Sequence, residues 1–198
     1  MRVAFVLGMQ TDTIGGAVFI AVALLAGCDN YIIQSEQEVN EAWGNLQAQL
    51  QRRADLVPNL VETVKGAAAH EKETLALVVQ ARSAATSIQI NAADLNNPEK
   101  MAAFSKAQAT LAQALRQVFA VAEAYPDLKA NQSFRDLQVQ LEGTENRIAR
   151  SREQYNSAVQ RFNTDILKWP GRWLAGGRTA KQVFEADVAA QKAPQVRL

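Results

Sequence analysis

From residue 28 to residue 168 the chain holds three prolines (Pro58, Pro98, Pro126) and three glycines (Gly44, Gly66, Gly143). Both residue types interrupt regular structure. Such sparse punctuation, among abundant Ala, Gln, Glu, Leu and Arg, predicts long α-helices and no sheet. The apolar residues then recur at alternating steps of three and four. Val39, Trp43, Leu46 and Leu50 form one stripe, and Leu56, Leu60, Val64, Ala67, Leu75, Val78, Ala85 and Ile88 a second. Met101, Phe104, Leu111, Leu115, Val118 and Ala122 form a third; Phe134, Leu137, Leu141, Ile148, Tyr155, Val159, Phe162 and Ile166 form the fourth. Four amphipathic helices of this kind, packed in a coiled-coil manner, predict an all-α, antiparallel, up-and-down four-helix bundle over residues 28–168.

Local chemistry suggests where the helices break. Asp55 can cap a helix with Pro58 in its first turn, which places the first interhelix turn at Arg52 to Pro58; the alternative is that Arg52 to Pro58 is a kinked continuation of one very long helix. Asn97-Pro98 opens the third helix by the same logic. Pro126 disfavours helical geometry at Tyr125 and ends that helix, and Asn131 or Ser133 can cap the fourth.

The 198 residues suit one domain with a hydrophobic core; 48% are apolar and 21% charged, as in ordinary globular proteins. The formal net charge is +1 and the two signs are interleaved, unlike the basic footprint of a nucleic-acid binder. With one cysteine and one histidine, disulfide frameworks and Cys-His zinc sites are excluded. His70-Glu71 lacks the second histidine of a zinc-protease helix, and His70 reads as a polar residue pairing across helices. No nucleophile turn or triad pattern surrounds any Ser or Thr, so no catalytic residue, cofactor or metal site is legible.

The single cysteine is informative by position. Cys28 follows Leu25-Ala26-Gly27 at the end of the apolar stretch Ile14 to Leu25. That stretch is short for a membrane crossing but has the length of a signal's apolar region. Leu25 to Cys28 resembles a bacterial lipoprotein signal, which makes residues 1–27 a signal peptide and Cys28 the lipidated first residue of the mature chain. An uncleaved N-terminal transmembrane anchor is the alternative. Both put the domain on the extracytoplasmic face of the cell membrane.

Residues Ala42 to Gly66 (AWGNLQAQLQRRADLVPNLVETVKG), His70 to Glu73, Glu123 to Ala130 (EAYPDLKA), Asn131 to Phe134 and Thr144 to Asn163 (TENRIARSREQYNSAVQRFN) together resemble the recurrent segments of the LemA family. The tail Val183 to Val196 is similar to the family's ending. The resemblance covers residues 28 to 198 and implies an antiparallel four-helix bundle. The family usually carries an uncleaved signal-anchor, and its biochemical function is poorly defined.

Three candidate surfaces remain. With turns at Arg52 to Pro58 and at Tyr125 to Lys129, an up-and-down bundle brings Arg52, Arg53, Asp55, Tyr125, Asp127 and Lys129 to one membrane-distal tip, suited to a protein partner. The bland reading is that these residues cap helices and pair with one another. Asn156 and Asn163 repeat on one helix face and read as hydrogen-bonding a neighbouring helix or fixing register. The fourth helix descends toward the anchor, so Trp169, Arg172 and Trp173 fall near the bilayer, either as membrane contacts or as caps on the core, in an otherwise irregular extension, 169–198. The functional expectation is a membrane-anchored helical scaffold of the bacterial envelope, with envelope proteins or itself as partner. A bundle that binds a lipid or peptide is the alternative.

Overall fold

The computed structural model of the chain describes residues 3–68, 70–169 and 171–185; side chains are described from Asn30 onward, those of Ala67 and Leu174 excepted. The described residues are mostly helical, with no strand among them: α1 (Val3–Ala67), α2 (Lys72–Ser87), α3 (Pro98–Ala122), the short α4 (Pro126–Ala130), α5 (Gln132–Leu167) and α6 (Gly171–Leu174), plus a 3-10 turn at Ala92–Asn96. Two expected starts hold by their caps. The Asn97 side chain accepts from the Lys100 N–H at 3.1 Å ahead of Pro98, and the Asn131 side chain accepts from the Phe134 N–H at 3.2 Å.

The expected turn at Arg52 to Pro58 does not exist. α1 continues through Pro58 to Ala67, and α2 begins only at Lys72. A proline inside a helix leaves the carbonyl four residues earlier without its donor, here that of Ala54. The Arg82 Nε of α2 donates to that oxygen at 2.7 Å, so the backbone is satisfied from outside and the helix continues. Asp55 caps nothing; it accepts from Gln51 one turn earlier.

Neighbouring helices run in opposite directions. Ala54 meets Arg82 across α1 and α2, and Gln108 of α3 donates to the Ala85 carbonyl of α2. α5 returns along α1, with Arg147 beside Gln49 and Arg161 beside Glu38. The expected apolar stripes face inward: Val39, Trp43, Leu46, Leu60, Leu111, Val118, Leu141, Tyr155 and Phe162 are among the most deeply buried side chains. They form two clusters. One, around Leu60, Val78, Leu115, Leu128 and Leu141, lies toward the 68–71 turn. The other, around Ile32, Trp43, Phe104, Tyr155 and Phe162, lies toward the N-terminal part of α1. Burying an aliphatic side chain contributes about 1.5 to 3 kcal/mol, so these stripes dominate the stability.

After α5 the chain reverses. Gly176 and Gly177, at φ of 56° and 82°, supply a left-handed turn that side-chain-bearing residues resist. Residues 178–185 then run as an extended strap back along α5. Among the described residues no helix is long and apolar enough to cross a membrane.

Candidate functional site

The six residues expected at one tip are divided by the structure. Arg52, Arg53 and Asp55 lie in the middle of α1, with Arg53 only 2% exposed. One Arg53 nitrogen, Nη1, reaches both oxygens of Glu145 at 3.0 and 3.3 Å; the other, Nη2, donates to the Gln108 carbonyl and Oε1 at 3.1 and 2.6 Å. This charged layer lies between the two apolar clusters and ties α1, α3 and α5 together. Arg53 is therefore occupied within the fold and does not face a partner. The shared tip fails because Pro58 does not end the helix.

The other three residues do sit at the end where α1 turns into α2. Tyr125, just before α4, donates its hydroxyl to Glu71 of that turn at 2.7 Å. The hydrogen bond to the carboxylate, with some desolvation and the carboxylate's charge, raises the Tyr125 pKa. Lys129 pairs with Glu123, and Asp127 is exposed in the first turn of α4. His70 is exposed in the same turn as Glu71 and is not part of a helix face.

Asn156 and Asn163 have a role that periodicity alone did not specify. Asn156 donates to the Phe184 carbonyl at 3.0 Å and accepts from the Phe184 N–H at 2.8 Å. Asn163 does the same with Lys181, at 2.9 and 2.8 Å. Each amide thus reads both backbone groups of one strap residue, as a neighbouring β-strand would. Tyr155 adds a hydroxyl bond to the Gln182 carbonyl at 2.7 Å, and burial raises its pKa. The Gln182 N–H donates to the Leu95 carbonyl at 2.7 Å, and Phe184 is buried edge-on to Phe104. The partner of these asparagines is an extended strap, not a helix.

The strap starts beside Glu36 of α1, which accepts from Arg178 Nε at 3.0 Å and lies 3.1 Å from Lys181 Nζ. Burial pushes the Glu36 carboxyl up, but the bonds and charges of Lys181 and Arg178 outweigh it, leaving the pKa below its ordinary value.

Below this clamp lies the end of the molecule nearest the N-terminal segment. Gly171 is wedged there: a side chain on it would meet the Asp165 carbonyl oxygen at 2.0 Å and the Ile32 side chain at 3.4 Å. Trp169 and Trp173, on either side, are 83% and 84% exposed. They do not cap the core. Arg172 between them is exposed as well. The side chain of Cys28, expected to carry lipid, lies outside the described residues, as do Met1 and Arg2 of the expected signal and residues 186–198 of the expected irregular extension.

A cleft of about 320 Å³ between α1, α2 and α3 is lined in equal measure by polar residues such as Gln47, Gln89 and Gln108 and by apolar ones such as Leu50, Ile88 and Phe104. No group of three His, Cys, Asp or Glu side chains able to hold a metal occurs among the described residues.

The sequence profile of the LemA family matches residues 42–198. The chain belongs to the LemA family. Protein LemA of Metamycoplasma hominis is 28% identical over 155 residues, covering 78% of this chain and 64% of that protein. Magnetosome protein MamQ 2 of Paramagnetospirillum magneticum is 39% identical over 62 residues, and magnetosome protein MamQ of Magnetospirillum gryphiswaldense 34% over 62. Those stretches cover 31% of this LemA-family chain but 23% of each magnetosome protein, so the likeness to them concerns one shared segment.

Proposed function

We propose that this LemA-family chain is a membrane-tethered scaffold: an up-and-down four-helix bundle held on the extracytoplasmic face by lipid on Cys28, which presents its far end to envelope proteins or to a second copy. The observation that carries this reading is the continuity of α1. α1 is already helical at Cys28, where the lipid would be attached, and supplies core residues from Ile32 to Val64 without a break, so no linker separates the anchor from the bundle. A tether of this form holds the domain upright instead of letting it swing on a linker. Cleavage before Cys28 would leave α1 starting at the lipidated residue, four residues and about 6 Å from Ile32. Attachment by several acyl chains is stable, because each buried CH₂ contributes about 0.8 kcal/mol.

The far end then carries Glu71, Tyr125, Asp127 and Lys129, a compact mixed-charge surface steadied by the Tyr125 to Glu71 bond. Arg53 is not part of it. The test is fatty-acid labelling of the full chain in bacteria, followed by fractionation. The wild type should be labelled, shortened to Cys28 at its N-terminus and found with membranes, whereas Cys28→Ser should remain an unlabelled precursor. An unlabelled wild-type protein with an intact N-terminus would overturn the lipid attachment.

A further inference from the structure

We infer that Tyr31, Leu167, Trp169 and Trp173, with Lys168 and Arg172, form a collar that rests in the headgroup layer of an anionic bilayer; this rests on the tethered reading above. Four large apolar side chains gathered at one end of the molecule are exposed by 54%, 69%, 83% and 84%. Single exposed apolar residues are ordinary, but a cluster of them marks a contact surface. Tryptophan and tyrosine carry an apolar body and a polar edge, the combination that favours the boundary between hydrocarbon and water.

The position of the cluster selects its occupant. A Cβ on Gly171 would strike the Asp165 carbonyl oxygen at 2.0 Å and would lie in ordinary contact with Ile32 at 3.4 Å, so α6 is seated against α5 at the level of Ile32 on α1. Ile32 lies four residues beyond Cys28, the lipid-bearing residue of that tether, which is about 6 Å along a helix. The headgroup region of a bilayer is about 5 to 8 Å deep on each side. Side chains as long as tryptophan, projecting from that level, reach into it. The charges agree: Lys168 and Arg172 are both exposed, and the acidic Glu36 nearby is already engaged by Arg178 and Lys181. Cations beside aromatic side chains at this depth favour anionic headgroups. The collar would also set orientation, since it touches lipid at a second point beside α1 and resists tilting.

Nitroxide quenching of tryptophan emission tests this on the full chain, reconstituted into vesicles of equal parts phosphatidylethanolamine and phosphatidylglycerol. The nitroxide is carried near the headgroup end of the acyl chain. The third tryptophan, Trp43, is buried within the bundle and serves as the internal unquenched reference. The expected result is loss of most Trp169 and Trp173 emission with Trp43 retained, and loss of the quenchable component in a Trp169→Phe, Trp173→Phe variant that melts as the wild type does. Lys168→Gln with Arg172→Gln should reduce the quenching, as should added salt. If the chain floats with the vesicles but its emission is quenched only by aqueous iodide, the collar faces water and the inference is wrong while the tether stands. If the chain does not float with the vesicles, tether and collar both fall.

Discussion

The Nε of Arg82 lies 2.7 Å from the carbonyl oxygen of Ala54, the acceptor that Pro58 cannot serve. One side chain of α2 thus completes the backbone of α1 where a proline interrupts it. Arg82→Ala should cost about 1 to 2 kcal/mol, the usual penalty for a buried polar group left without a partner. Pro58→Ala restores the missing N–H, so in that background Arg82→Ala should cost about 1 kcal/mol less. Urea melts of the four proteins of this cycle measure the coupling; equal costs in both backgrounds would show that the two residues do not share the carbonyl.

Arg53 and Glu145 form the charged layer between the apolar clusters. Removing the partner of a fully buried ion costs about 3 to 5 kcal/mol. The Glu145 side chain is 43% exposed, so solvent screens the pair and Glu145→Ala should cost about 2 kcal/mol. Thermal melts of the wild type and the variant measure the loss, and an unchanged melting temperature would contradict a stabilising role for this layer.

Asn156→Ala and Asn163→Ala each remove two hydrogen bonds to the strap, about 1 kcal/mol apiece. Hydrogen exchange at the Lys181 and Phe184 amides should accelerate by one to two orders of magnitude, on the order of 10- to 100-fold for losses of this size. Asn156→Asp keeps the acceptor for the Phe184 N–H but sets an oxygen against the Phe184 carbonyl, and should release the strap as Asn156→Ala does.

Acid should release the strap as well. The Glu36 pKa is depressed in the folded state below its ordinary value of 4.5. The stability it contributes is therefore complete above 4.5 and lost as pH falls through the folded value. Exchange at Lys181, followed downward from pH 5 or so, should rise after correction for intrinsic rates. Glu36→Gln should abolish that dependence.

Much of this architecture is legible in residue order. The three-and-four spacing of Val39, Trp43, Leu46, Tyr155 and Phe162 marks the core because burial of an apolar face is what helix packing requires. Asn97 and Asn131 mark helix starts because their caps act over three residues. What is not legible depends on distant partners. Pro58 looks like a boundary until Arg82, twenty-four residues later, supplies the donor. Arg53 looks like surface charge until Gln108 and Glu145 surround it. Asn156 and Asn163 signal by their seven-residue spacing that one face is engaged, but an extended strap has no periodicity of its own to announce it. At Trp169 and Trp173 the sequence leaves a surface contact and a cap on the core both open, and their exposure in the fold removes the cap.

The most direct test of the account is the height of the full, lipidated chain above a supported bilayer, measured by neutron reflectometry. α1 from Ile32 to Ala67 spans thirty-six residues, about 50 Å at roughly 1.5 Å per residue. An upright body tethered at Cys28 and resting on its tryptophan collar predicts a protein layer about 50 Å thick, starting within the headgroups. A layer about 20 to 25 Å thick, the width of two packed helices lying flat, would contradict it.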